Sequence, residues 1–78
     1  MKTEQRKTQF RQLGRMIAYY RKLRGITQED LASNVNLSRT HVSNIEAPNM
    51  SVAVSLEKLF DIADALNVPV YKFFEFRD

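Results

Sequence analysis

Seventy-eight residues make one domain, at the small end of what folds alone. With 44% hydrophobic residues and no cysteine, the core is built without a disulfide, the chain suits a reducing cytoplasm, and thiolate-ligated zinc is excluded. No apolar run approaches the ~20 residues that span a bilayer, and the polar start does not read as a secretion signal.

Formal net charge is +3, but its sign is unevenly spread. Residues 1–25 hold Lys2, Arg6, Lys7, Arg11, Arg15, Arg21, Lys22 and Arg24 against Glu4 alone, whereas residues 26–78 hold eight acidic and four basic groups. This asymmetry fits a polyanion met by the N-terminal part, and it fits a solvated basic helix face equally well. Charge alone does not decide between them.

Residues 1–8 have no apolar period and read as a flexible basic arm, which leaves 9–78 as the folded domain. Phe10, Leu13, Met16, Ile17, Tyr20 and Leu23 then recur at threes and fours, predicting a first helix over roughly 9–24. Gly25 suits the left-handed position after it, with Lys22 and Arg24 placed favourably for the helix dipole. Ile26 precedes a capping residue and is expected to staple onto the next helix.

Two short apolar-periodic segments follow, Gln28 to Val35 and Arg39 to Ala47, separated by Asn36-Leu37-Ser38. Thr27 and Ser38 are N-cap residues whose hydroxyls can accept from first-turn amides. Asn36 is expected to take the left-handed conformation at the joint. The inward set is Leu31, Ala32, Val35, Val42 and Ile45, with the small Ala32 allowing a close crossing. Arg39, Thr40, Ser43 and Asn44 are thereby left on the outer face of the second segment. Side chains of these types read base edges. The pattern is a helix-turn-helix.

Pro48 stops this helix near Glu46 or Ala47. Ser51 is the expected cap of a fourth helix whose apolar face is Val54, Leu56, Leu59, Phe60, Ile62, Ala63 and Leu66, ending at Asn67. Pro69 suits the first turn of a last short helix, VYKFFEF. The aromatic content of that segment would also suit a strand, which would have no partner here.

The stretches LGRMIAYYRKLRGITQEDLA, VNLSRTHVSNIE and SLEKLFDIADALNV resemble the lambda-repressor-like DNA-binding domains of the XRE (Cro/CI) family, over about residues 10–76. SRTHVSNIE also resembles the recognition helix of restriction–modification controller proteins. The resemblance implies an all-α, compact five-helix domain with its helix-turn-helix at helices two and three and the third helix in the major groove. It implies that Gln28 lies beside a phosphate and braces a recognition side chain. Ser38, Arg39, Thr40, Ser43 and Asn44 would meet bases or phosphates. His41 is expected at the helix edge, partly packed, with a phosphate contact as the other reading. Arg21 and Glu46 match a pair that the family often bridges.

Ala47-Pro48-Asn49-Met50 replaces the basic, Gly-containing loop common in the family, so phosphate contacts would fall to Arg6, Lys7, Arg11 and Arg15. The resulting expectation is a regulator of transcription that binds double-stranded DNA as a homodimer through its C-terminal helices. Tyr71, Phe73, Phe74 and Phe76 are the interface candidates. Phe73 or Phe74 is expected to close the core, and Phe76, past the core positions, is the stronger interface candidate. The alternative is a protein-interaction module, such as an antitoxin or bridging component. One histidine, no cysteine and no Gly-rich phosphate loop speak against an enzyme, and no metal or cofactor site is read.

Overall fold

The computed structural model describes residues 2–76. They form α1 (Lys2–Leu23), α2 (Gln28–Asn34), α3 (Arg39–Glu46), α4 (Leu56–Leu66) and a C-terminal 3-10 helix (Val70–Phe74). No strand occurs among the described residues.

Helix ends are set by local chemistry. Thr27 opens α2 with a capping box, its Oγ1 accepting from the Asp30 amide at 3.0 Å while the Thr27 amide donates to Asp30 Oδ2 at 3.5 Å. Ser38 opens α3 by accepting from the His41 amide at 3.0 Å. Gly25, Asn36 and Asn67 adopt φ of 71°, 58° and 54°, closing α1, α2 and α4 in left-handed turns. Each reversal is sealed by the amide of the residue after the left-handed one, Ile26 to Arg21 O, Leu37 to Ala32 O and Val68 to Ala63 O.

Two boundaries and one helix type differ from the sequence expectation. α1 begins at Lys2, not near residue 9, so the stretch expected to be a separate arm continues the helix. Extending an already packed helix avoids the nucleation penalty, and Arg6 Nε adds a hydrogen bond to Gln9 Oε1 at 2.9 Å. α4 is capped by Ser55, not Ser51, because residues 51–55 lie outside any helix, with Val52 and Val54 packed against the core. Ser51 Oγ instead donates to the Lys7 carbonyl at 3.3 Å, tying this segment to the start of α1. The fifth element is 3-10, not α: its backbone bonds run from Lys72 to Pro69 O and from Glu75 to Lys72 O. Such short segments close i→i+3 bonds without room for a stable α turn.

The core gathers Leu13 and Ile17 of α1, the five residues expected from the helix-turn-helix, Leu59, Ile62, Ala63 and Leu66 of α4, and Phe73. Phe73 is fully buried, its ring edge-on to Tyr20 with centroids 5.9 Å apart. Leu56 and Phe60, expected on the packed face of α4, are exposed.

Candidate nucleic-acid interface

α3 can present a surface only if it is held by its other side. Val42 and Ile45 supply the apolar half of that hold, both buried. The polar half converges on Glu46. Arg21 Nε donates to Glu46 Oε2 at 2.7 Å and Nη2 to Oε1 at 2.9 Å, while Gln28 Nε2 reaches Oε1 at 3.1 Å. The third guanidinium nitrogen, Nη1, donates to the Ile26 carbonyl at 2.7 Å. One two-pronged ion pair with a side-chain amide thus fastens α1, α2 and α3 together. The two ionic side chains are only 10% and 5% exposed, so this is a buried clamp and not a surface bridge.

Closeness is set by Gly14, which the sequence pattern did not single out beyond its place in α1. A Cβ there would lie 1.9 Å from the carbonyl oxygen of Ile45. α1 and the end of α3 therefore meet backbone to backbone. A glycine inside an otherwise regular helical pattern was the available signal.

The residues expected at the interface divide by position. Arg39, Thr40 and His41 are exposed on α3, and Ser43 and Asn44 are half-buried beside them. His41, in the first turn of α3, is thus solvent-facing, in contrast to the partly packed position expected. The Ser38 hydroxyl is engaged as the α3 cap, and the Gln28 amide is engaged with Glu46. Arg11 is half-buried on α1. Arg15 is exposed and borders a cleft of about 310 Å³ with Gln12, Met16, Tyr19, Tyr20, Glu75 and Phe76.

Two further cations of the basic N-terminal half and of α4 are absorbed by the fold. Arg24 donates to the carbonyls of Leu66 and Asn67 at 2.8 and 3.2 Å, capping α4. Lys58 Nζ donates to the Val35 carbonyl at 2.7 Å. Neither contact could be read locally, since donor and acceptor are far apart in sequence. Among the described residues no cluster suited to a metal ion occurs, and no helix is long and apolar enough to cross a membrane.

A family model described as helix-turn-helix matches residues 17–73, from the core of α1 through the 3-10 helix. The chain belongs to this helix-turn-helix family. It is an XRE-type DNA-binding transcription regulator. Its fold is similar to that of the restriction-modification controller protein C.AhdI from Aeromonas hydrophila, with TM-score 0.76, 28% identity, and coverage of 83% of this chain and 96% of that one. The wild-type restriction-modification controller protein C.Esp1396I is similar at TM-score 0.72 and 36% identity, covering 85% and 83% of the two chains. A triclinic form of the same controller gives 0.74, 35%, 87% and 86%. Comparison with curated proteins returned no match.

Proposed function

We propose that this regulator binds operator half-sites in double-stranded DNA as a homodimer, with α3 in the major groove. One observation carries the reading. Arg39 and Thr40 stay exposed, beside half-buried Ser43 and Asn44, on a helix capped by Ser38 and anchored at its far end by Glu46. Arg39 is the leading base reader, because its fork can take guanine O6 and N7 together. Asn44 has the shape for adenine, Thr40 for a thymine methyl, and His41 and Arg11 are candidates for phosphates. The similarity to restriction–modification controllers supports a role of that kind, setting gene expression by protein concentration and operator arrangement.

A single short recognition helix reads few base pairs, so a second copy is needed for selectivity, with half-sites about one turn (~34 Å) apart. The surface proposed for pairing is formed by Leu56 and Phe60 of α4 with Tyr71 and Phe74 of the adjoining 3-10 helix, which are 61%, 47%, 59% and 51% exposed. Isolated apolar residues on a surface need no explanation; these four are taken as the pairing surface because they lie exposed on two elements that pack on each other. This moves the interface away from Phe73, which fills the core, and from Phe76, which packs against it beside α1.

The test is Arg39→Ala on a duplex selected by the wild type. Loss of preference at one position per half-site is expected, worth ~1–3 kcal/mol at that base pair, with other positions unchanged. Equal weakening on all sequences, with a lower salt slope, would make Arg39 a phosphate contact instead.

A further inference from the structure

The turn between α2 and α3 leaves a backbone acceptor that its own helix cannot satisfy. α2 ends at Asn34 and the chain reverses at Asn36, whose φ is 58°, so the Val35 carbonyl points off the helix end with no following helical amide to accept from. The donor comes from another element. Lys58 Nζ, on α4, lies 2.7 Å from that oxygen and 3.5 Å from Asp61 Oδ2. An ammonium at a helix C-terminus is favoured by the exposed carbonyls and by the dipole. The Lys58 side chain is 28% exposed, so water competes only partly for the contact. Its placement gives it reach over function: Val35 stands four residues before Arg39, in the turn that leads into α3.

We propose that Lys58 is a positioning residue for DNA readout: its ammonium, bonded to the Val35 carbonyl, holds the helix-turn-helix turn onto α4 and so fixes the angle at which α3 meets DNA. The inference rests on α3 being the reading helix. It assigns to Lys58 no contact with DNA. A charge-assisted hydrogen bond of this kind changes an equilibrium by about tenfold or more when removed.

The full-length wild type is compared with Lys58→Met, which keeps the aliphatic stem, and Lys58→Arg, which keeps charge and N–H donors. Two quantities are read. The first is hydrogen exchange in the free protein at the Leu37 amide, which is bonded to Ala32 O at 2.9 Å, with the Ile26 amide (bonded to Arg21 O at 3.1 Å) as internal control. The second is affinity, across a salt series, for the duplex that the wild type selects from a random pool.

Lys58→Met is expected to exchange about tenfold faster at Leu37 with Ile26 unchanged, and to bind about tenfold more weakly with the same salt slope. Lys58→Arg is expected to recover most of both. Unchanged exchange at Leu37 overturns the proposal, as does equal acceleration at Leu37 and Ile26, which would signify general destabilisation. A salt slope smaller by about one would make Lys58 a phosphate contact and overturn it too. If the wild type selects no duplex, the DNA reading itself fails, while the exchange at Leu37 still decides whether Lys58 holds the turn.

Discussion

Gly14→Ala is expected to lower the unfolding midpoint by ~12 °C or more, and to remove DNA binding at 37 °C. The added Cβ would lie 1.9 Å from the Ile45 carbonyl oxygen, with the Ile45 carbonyl carbon at 3.0 Å and Glu46 Cα at 3.6 Å. The obstacle is backbone on both sides, so no side-chain rotation relieves it. α1 must move off α3, which disturbs Ile17, Val42 and Ile45 and lengthens the Arg21–Glu46 bonds. Overpacking of this sort costs ~3 kcal/mol or more, and a domain of this size loses ~4–8 °C per kcal/mol. Gly25→Ala is the control. Its φ of 71° carries a left-handed penalty of about 1 kcal/mol, but nothing lies within 4 Å of the new methyl. Thermal unfolding by circular dichroism checks both; a Gly14→Ala midpoint no lower than that of Gly25→Ala would contradict the close approach.

Arg21→Ala carries the second large effect, through the charge it leaves behind. Glu46, with its side chain only 5% exposed, would keep the Gln28 amide as its one partner among the described residues, and the Ile26 carbonyl would lose its donor. Removing one member of a buried pair costs ~3–5 kcal/mol, because the remaining ion stays desolvated without compensation. DNA affinity should fall with stability, since Glu46 is the last residue of α3. Arg21→Met combined with Glu46→Leu is expected to regain most of the melting temperature, since apolar replacement of both partners removes the stranded charge. An unchanged midpoint in Arg21→Ala would show that the pair holds nothing.

What could be read in advance was local. The helix-turn-helix was legible because its caps, its inward residues and its left-handed Asn36 all lie within one short stretch, each fixed by neighbours in sequence. The Arg21–Glu46 bridge was legible only through family resemblance, since its partners are 25 residues apart. Illegible features depended on packing between distant segments. Ser51 and Ser55 are chemically equivalent caps, and burial of Val52 and Val54 selected the second. Phe76, past the core positions in sequence, reads as the stronger interface residue, but it packs against the core while Phe74 is half exposed. Gln28 looked free for a phosphate until Glu46 was brought within 3.1 Å of it. The basic N-terminal half overstated the charge available to DNA, because Arg21 and Arg24 are spent on carbonyls and a carboxylate of the fold.

The most direct test of the central claim is selection of bound duplexes from a random pool by the wild-type protein at physiological salt. The account predicts enrichment of an inverted repeat, two short half-sites with centres about one helical turn apart, ~34 Å. A single enriched half-site would contradict the homodimer. Uniform, salt-sensitive binding with no enriched sequence would contradict readout by α3 itself.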